Sequence, residues 1–97
     1  MLEGELFQRT GPDTFRLLPS SVIYKAHFPG YPITPGVCIV RIVTEMLHPG
    51  QTLSSARNIR FVSPLMPGDE ARIEESGGRV LICKKGEICA KMVMEYE

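Results

Sequence analysis

The chain of 97 residues has the length of one small domain. Hydrophobic residues make up 43% and charged residues 23%, which is the balance of an ordinary globular protein. Eleven basic side chains are matched by eleven acidic ones, so bulk charge predicts no binding to nucleic acid, whose phosphates require a basic surface. We therefore expect a single domain over residues 1–97 and no nucleic-acid partner.

The cysteines and the apolar stretches limit the class further. Cys38, Cys83 and Cys89 are odd in number and include no Cys-x-x-Cys pair, which argues against a disulfide framework or a zinc site. Buried, reduced thiols in a cytoplasmic protein are the expectation. The first residues carry acids where a signal peptide carries bases, and the apolar stretch from Val37 to Leu47 is too short for a membrane span.

The first third of the chain favours short strands and a stiff loop. Glu5 to Thr10 and Thr14 to Leu18 are predicted strands around a Gly-Pro-Asp turn. Ser21 to Ala26 is rich in β-forming residues and is expected to lead straight into His27. Prolines then fix the backbone repeatedly, so residues 28–35 are expected to form an ordered but irregular loop.

One helix is predicted after this loop. Thr34 is expected near its N-cap and Pro35 in its first turn, and His48 with the Pro-Gly pair that follows ends it. Because β-branched residues are numerous, burial rather than propensity must stabilise this helix, and other elements should wrap around it. The apolar residues at helical spacing are Ile39, Ile42, Val43, Met46 and Leu47.

The second half of the chain predicts antiparallel strands joined by short turns. A Gly-Gly pair suits a two-residue hairpin. In the last strand, alternation places Ile88 and Ala90 on one face and Cys89 on the other. The expected class is α+β, with a curved antiparallel sheet wrapped around one central helix. The predicted strands are Arg57–Val62, Glu70–Glu75, Arg79–Lys84 and Ile88–Tyr96.

Two motifs carry a family resemblance. The run His27-Phe28-Pro29-Gly30, continued by Pro32, Pro35 and Gly36-Val37, resembles the signature of the FabZ-type 3-hydroxyacyl-acyl-carrier-protein dehydratases. Asn58-Ile59-Arg60-Phe61, followed by Pro67-Gly68-Asp69, is similar to a strand and turn that follow the helix in that family. The resemblance extends over residues 20–96.

The resemblance implies a hotdog fold and a homodimer in which two sheets join edge to edge, with two active sites at the interface. It implies an acyl carrier protein as partner and an acyl thioester substrate carried on its phosphopantetheine, with no cofactor of the enzyme's own. The implied reaction removes water from 3-hydroxyacyl thioesters in fatty-acid or related acyl-chain synthesis.

Site residues carry over by position in the motif. His27 matches the catalytic histidine, and an imidazole suits removal of the C2 proton because it titrates near neutral pH. Gly36 matches the residue whose amide binds the thioester carbonyl, and Val37 supplies a second amide at the helix start, where the dipole favours negative charge. Phe28 is counted with the substrate-binding residues, and Tyr31 either shapes the site mouth or covers the proline loop.

The family's catalytic carboxylate is not matched. It lies fourteen residues after the histidine, where this chain has Arg41. A guanidinium is neither a practical acid nor a base, so Arg41 is counted with the substrate-binding residues. Glu45 lies one turn further on the same helix face. Either Glu45 takes over proton transfer as the partner of His27, or Arg41 and Glu45 form an ion pair.

The predicted function is therefore a dehydratase-like protein acting on carrier-bound 3-hydroxyacyl thioesters. A catalytically impaired module that binds acyl chains or a carrier, also as a heterodimer with an active paralogue, is the alternative, and a hotdog thioesterase in which Glu45 activates water is another. A Cys38–His27 pair would instead indicate covalent acyl transfer.

Two further groups of residues have open roles. Methionines either line an acyl tunnel or fill the core; they are Met46, Met66, Met92 and Met94. Exposed basic residues near the site mouth would suit an acidic carrier; the candidates are Arg57, Arg60, Arg79, Lys84 and Lys85.

Overall fold

The computed structural model describes residues 1–26, 30 and 32–97. The six strands of the described residues belong to one antiparallel sheet with the order β1-β2-β4-β5-β6-β3. Helix α2 lies against one face of this sheet, which confirms the predicted α+β arrangement. The elements are β1 (Phe7–Arg9), β2 (Thr14–Leu17), α1 (Ile23–Ala26), α2 (Gly36–Leu47), β3 (Leu53–Phe61), β4 (Glu70–Ser76), β5 (Arg79–Lys84) and β6 (Glu87–Tyr96).

Burial of one face holds α2 in place. The buried helix residues are Ile39, Ile42, Val43 and Met46, and they form one core cluster with inward residues of the sheet such as Ile82. Burying a side chain of this size contributes about 1.5–3 kcal/mol, which offsets the weak helix propensity of the β-branched residues. The prediction that burial stabilises this helix is confirmed.

Two local predictions ahead of α2 are wrong. The segment 21–26 is not extended, because Ser21 starts a helical turn: its Oγ accepts a hydrogen bond from the Ile23 amide at 3.3 Å. Thr34 does not cap α2, whose N-cap is Pro35. Instead the Thr34 hydroxyl is buried and lies 2.7 Å from the Tyr24 hydroxyl, which ties α1 to the segment that enters α2.

Strand β3 begins at Leu53, earlier than predicted, and forms one edge of the sheet. Its pairing with β6 shifts between Arg57 and Arg60, where Asn58 has a positive φ of 53°. Asn is among the few residues that adopt this left-handed conformation at low cost. The strand therefore contains a β-bulge centred on Asn58.

This bulge decides which side chains face the helix. Phe61 pairs with Ala90, which is buried on the helix side of β6, and Arg60 pairs with Lys91 on the opposite side. Because paired residues share a face, Arg57 and Arg60 both point away from α2 while Phe61 points towards it. A strand without the extra residue would have turned Phe61 outwards.

A second shift corrects the predicted alternation of β6. Ile82 pairs with Ala90 and Cys83 pairs with Ile88, so one additional residue lies between the two pairs on β6. Cys89 and Ala90 are consequently both buried, whereas Ile88 is 37% exposed. Period-two alternation cannot anticipate this arrangement, since the shift depends on the partner strand.

In the described part of the chain, no helix has the length and apolar character needed to cross a membrane. The predicted loop over residues 28–35 lies partly outside the described residues, and the predictions for His27, Phe28 and Tyr31 lie entirely outside them.

Candidate active site

An apolar cavity of about 440 Å³ lies where α2 begins. The segment that enters the helix and its first turn form one wall, and the end of β3 with the loop after it forms the other. The cavity is therefore bounded by both motifs that carry the family resemblance. Its lining residues include Ile33, Pro35, Gly36, Ile39, Phe61 and Leu65.

Gly36 and Phe61 are in close contact across this cavity. A Cβ atom placed on Gly36 would lie 2.7 Å from Cε2 and 2.8 Å from Cζ of Phe61. Such distances are well inside van der Waals contact, so only glycine fits here while the ring keeps its position. Phe61 is 49% exposed, and its ring contributes both to the cavity wall and to the open surface beside it.

The start of α2 presents backbone donors. The amides of Cys38 and Ile39 donate to the Pro35 carbonyl at 3.0 and 3.1 Å. No described residue accepts a hydrogen bond from the amides of Gly36 and Val37, and no side chain caps the helix. Unused amides at a helix N-terminus stabilise negative charge on an oxygen, which is the electrostatic requirement for binding a polarised carbonyl.

The loop between β3 and β4, the other wall, is fixed by hydrogen bonds. The Thr34 amide donates to the Leu65 carbonyl at 2.8 Å. Lys84 Nζ donates to the Pro64 carbonyl at 3.2 Å and to Asp69 Oδ2 at 2.9 Å, and the hydrogen bond to Asp69 raises the pKa of Lys84. Lys84, a candidate for carrier binding, thus already stabilises this loop.

Glu45 is engaged with the start of the chain. Its Oε2 and Oε1 accept hydrogen bonds from the Leu2 amide at 2.7 and 3.0 Å, and Oε1 also accepts from the Glu3 amide at 3.1 Å. Arg41 Nη2 lies 4.0 Å from Oε2, and the side chains of Arg41 and Glu45 are 60% and 13% exposed. The predicted ion pair is therefore present but long, and the backbone amides make the shorter contacts.

Sequence reasoning could not find these partners of Glu45. Leu2 and Glu3 contribute only their amides, which every residue except proline possesses. The contact with Phe61 was equally hidden, because it depends on the bulge that turns this ring towards Gly36.

The predicted site residues fall into two groups. His27, Phe28 and Tyr31 lie outside the described residues, so their roles stay predictions. Gly36 lines the cavity, whereas the Val37 side chain is 72% exposed on the open face of α2.

The remaining candidates can be placed individually. Burial raises the pKa of the Cys38 thiol, which opposes formation of the thiolate that a nucleophile requires. The methionines of the core, Met46, Met92 and Met94, are buried and do not line the cavity. Among the described residues, no cluster of His, Cys, Asp or Glu is arranged to hold a metal ion.

A sheet packed around one helix, with an apolar cavity and unused amides at the helix start, is the arrangement of a hotdog-fold protein. The family model for ApeI-like proteins, described as ApeI dehydratase, matches residues 12–80. The chain belongs to this family of ApeI-like dehydratases, and the predicted resemblance to FabZ-type enzymes is confirmed.

Curated relatives agree with this assignment. A 3-hydroxyacyl-[acyl-carrier-protein] dehydratase FabZ of Geobacter metallireducens is 33% identical over 79 residues, which are 68% of this chain and 51% of that protein. A FabZ of Koribacter versatilis is 35% identical over 63 residues, 53% of this chain and 40% of that protein. The chain thus spans about half the length of the curated relatives that it matches.

Solved structures support the fold. The dehydratase heterocomplex ApeI:P from Xenorhabdus doucetiae aligns with a TM-score of 0.58 at 19% identity, covering 93% of this chain and 92% of that one. An uncharacterized protein from Erwinia carotovora subsp. atroseptica aligns with a TM-score of 0.64 at 21% identity, covering 94% and 89%. At these identities the likeness establishes the hotdog fold alone.

Proposed function

We propose that this chain removes water from 3-hydroxyacyl thioesters in fatty-acid or related acyl-chain synthesis, with the substrate presented on the phosphopantetheine of an acyl carrier protein in the cytoplasm. One observation carries the proposal: Gly36, whose amide donates to no described residue, lines an apolar cavity of about 440 Å³. A thioester carbonyl needs a hydrogen-bond donor, and an acyl chain needs apolar space.

The chemistry follows from these groups. His27 removes a proton from C2, and the amides of Gly36 and Val37 stabilise the negative charge that develops on the thioester oxygen. The C2–C3 double bond then forms as the C3–O bond breaks, and the hydroxyl takes up a proton and leaves as water. His27 is assigned as the base on its position in the motif.

The group that protonates the leaving hydroxyl is the remaining question of this mechanism. Glu45 is the predicted donor, but both of its oxygens accept hydrogen bonds from Leu2 and Glu3. Glu45 can therefore protonate a leaving hydroxyl only after the start of the chain has moved away. Otherwise His27 returns the proton that it has taken, or the partner subunit supplies it.

The Gly36 amide and the apolar cavity also suit a second candidate function. A subunit that binds the acyl thioester without turning it over, beside an active paralogue, would need the Gly36 amide and the cavity but no acid. Arg41 at the carboxylate position and the engaged Glu45 fit such a subunit. One structural neighbour is described as a dehydratase heterocomplex.

In either case we propose a dimer that forms through β3. This strand ends the sheet on one side, and Ile59, Phe61 and Val62 are exposed at its end. An unpaired apolar edge favours pairing with another strand. Ile59→Lys should convert the dimer to a monomer in light scattering, whereas Val22→Lys, an equally apolar exposed site outside the sheet, should not. A monomeric parent protein would contradict this assembly.

Hydration of crotonyl- and longer enoyl-thioesters, followed by loss of the enoyl absorbance, tests the activity. His27→Ala should abolish turnover, while His48→Ala, the change at the other histidine, should retain it. No hydration by the parent protein at any chain length would reject the dehydratase. Release of free thiol would indicate a thioesterase instead.

A gain-of-function variant separates the two candidates. Arg41→Glu restores a carboxylate at the family position on an exposed part of α2, with Arg41→Gln as the control that only removes the charge. If a missing acid limits the rate, Arg41→Glu should accelerate hydration by about 10² to 10⁴-fold over Arg41→Gln. An inactive parent that Arg41→Glu activates would identify a thioester-binding subunit that lost its acid.

A further inference from the structure

A buried hydrogen bond joins the two chain segments that lead to the proposed base and carbonyl donor. The Tyr24 hydroxyl lies 2.7 Å from Oγ1 of Thr34, ten residues further along the chain. Both side chains are buried, and each residue is 6% exposed. His27 follows directly after α1, which carries Tyr24, and Gly36 lies two residues after Thr34. The bond therefore joins the two ends of the segment that contains His27 and leads to Gly36.

Both partners of this bond are anchored by backbone contacts. The Ser21 hydroxyl and carbonyl accept hydrogen bonds from the amides of Ile23 and Tyr24 at 3.3 and 3.2 Å, which stabilises the helical turn of α1. On the other side, the Thr34 amide donates to the Leu65 carbonyl at 2.8 Å. The hydroxyl pair thus connects two fixed points of the backbone and sets the distance between them.

The two hydroxyls do more than fill the core. Tyr24 belongs to the hydrophobic core cluster, where a phenylalanine ring would occupy the same space without a polar group. A buried hydroxyl costs free energy unless it is hydrogen-bonded, and this pair satisfies both hydroxyls at once. Burial raises the pKa of Tyr24, so the phenol keeps its proton at neutral pH and can donate to Thr34. A hydrogen bond fixes a distance and a direction, which apolar contact alone does not.

On the Thr34 side, the fixed distance reaches the cavity. Thr34, Pro35 and Gly36 are consecutive residues of the cavity wall. Pro35 is the N-cap of α2, and its ring holds φ at −61°. Because this torsion is locked, a movement of Thr34 is passed on to Gly36 and its amide.

We propose that Tyr24 and Thr34 are positioning residues of the dehydratase: their hydrogen bond holds the chain on both sides of His27, so that the imidazole and the Gly36 amide reach the same thioester. The inference rests on the proposed function, in which His27 removes the C2 proton. Reaction requires the reacting atoms to lie about 3–3.5 Å apart, and a misplacement of about 1 Å can lower the rate by about 10²-fold. The two hydroxyls take no part in the chemical step, since they are engaged with each other.

The far end of α2 offers a matched control. The Tyr96 hydroxyl lies 3.0 Å from Oγ1 of Thr44, which is again a tyrosine–threonine pair. Neither residue is among the described residues that line the cavity. The Tyr96 ring instead contacts the ring of His48, with centroids 4.1 Å apart. Tyr96→Phe therefore removes the same kind of bond without touching the proposed site.

Steady-state hydration of an enoyl thioester gives the first readout. Tyr24→Phe should lower kcat by about 10- to 100-fold while KM stays within about twofold, because the apolar cavity that binds the chain is retained. Tyr96→Phe should alter neither constant by more than about twofold. Thr34→Val should reproduce the loss in kcat, and Thr34→Ser, which keeps the hydroxyl, should recover most of it. An unchanged kcat, equal losses for Tyr24→Phe and Tyr96→Phe, or a rise in KM alone would overturn the proposal.

Histidine NMR gives a second readout that does not depend on turnover. The chain has two histidines, so isotopic labelling of histidine yields one set of ring signals from each, which His27→Ala and His48→Ala assign. Tyr24→Phe should shift the ring signals of His27 and leave those of His48 in place. Tyr96→Phe should do the reverse, since its ring contacts His48.

The two readouts separate a failure of the proposed function from a failure of this inference. If the parent protein hydrates no enoyl thioester, the dehydratase is rejected, and the NMR comparison alone decides whether the pair fixes His27. Unchanged His27 signals in Tyr24→Phe would reject the positioning role whatever the activity. Should Tyr24→Phe fail to fold, Thr34→Val provides the same comparison in both assays.

Discussion

Replacing Glu45 by alanine tests whether this carboxylate anchors the start of the chain. Its oxygens hold two backbone amides, those of Leu2 and Glu3, at 2.7 to 3.1 Å. A hydrogen bond to a charged group contributes about 1.5–3 kcal/mol, and ordering each backbone residue costs about 1–2 kcal/mol. With two donors and two ordered residues, Glu45→Ala should lower the free energy of unfolding by about 1–2 kcal/mol.

Thermal and urea unfolding at fixed protein concentration measure this loss. The expected decrease in Tm is about 5 to 15 °C for a domain of this size. Arg41→Ala is the matched control, because a pair at 4.0 Å with a side chain that is 60% exposed should be worth less than about 0.5 kcal/mol. Deleting residues 1–3 removes the donors, so Glu45→Ala in that background should cost little.

The double-mutant cycle tests whether Glu45 stabilises the fold through Leu2 and Glu3. If Glu45→Ala costs as much in the shortened chain as in the full chain, the carboxylate does not act through Leu2 and Glu3. If it leaves unfolding unchanged but abolishes hydration of enoyl thioesters, Glu45 is a proton donor and the anchoring role is refuted.

Three other predictions concern the packing of the site and the sheet. Gly36→Ala would bring Cβ within 2.7 Å of Phe61, so it should lower the free energy of unfolding in urea by about 1 kcal/mol. Phe61→Leu in the same chain should restore that loss. A Gly36→Ala variant as stable as the parent would contradict the close contact. Asn58 has a φ of 53°, which glycine adopts easily and a β-branched residue does not. The free energy of unfolding should therefore stay within about 0.5 kcal/mol of the parent for Asn58→Gly and fall by about 1–2 kcal/mol for Asn58→Val. Equal thermal stability of the two variants would exclude the bulge. Burial raises the pKa of Tyr24 in the folded protein, so its contribution to stability is complete below about pH 10, where the unfolded side chain is also protonated, and is lost as pH rises through the folded pKa. Tyr24→Phe removes the hydroxyl that bonds to Thr34 and should flatten the alkaline decrease in Tm. The same slope of Tm against pH in both proteins would refute the role of Tyr24.

The layout of the fold was predictable because it rests on repeating patterns. Apolar residues at helical spacing identified α2, and short β-rich runs between turn residues identified the strands. The strand predictions were wrong where one extra residue interrupts the alternation of side chains. Asn58 and Cys89 each add a residue to a strand, and such an insertion is decided by pairing with the neighbouring strand rather than by the local sequence. The β-rich segment that begins at Ser21 forms a helical turn instead, in which the Ser21 hydroxyl and carbonyl accept hydrogen bonds from the amides of Ile23 and Tyr24.

The candidate site was predictable in part for a similar reason. Gly36 follows from a contiguous motif, and its position at the helix start follows from the proline before it. The contact of Gly36 with Phe61 joins residues far apart in sequence and needs the bulge of β3. Glu45 accepts its hydrogen bonds from the backbone amides of Leu2 and Glu3, so the side chains at positions 2 and 3 could not indicate them.

These contacts divide α2 into two halves with different tasks. The first turn, from Gly36, has unused amides beside the cavity, which suits binding of a thioester. The last turn is instead tied to the rest of the fold: Glu45 holds the start of the chain, and the carbonyl of Met46 accepts a hydrogen bond from Arg9 at 3.0 Å. Arg41 lies between the halves, largely exposed and only loosely paired. A carboxylate introduced at position 41 would break only the long ion pair with Glu45, whereas recruiting Glu45 for catalysis would release the amides of Leu2 and Glu3. Position 41 is therefore the better place to test whether a missing acid limits the activity.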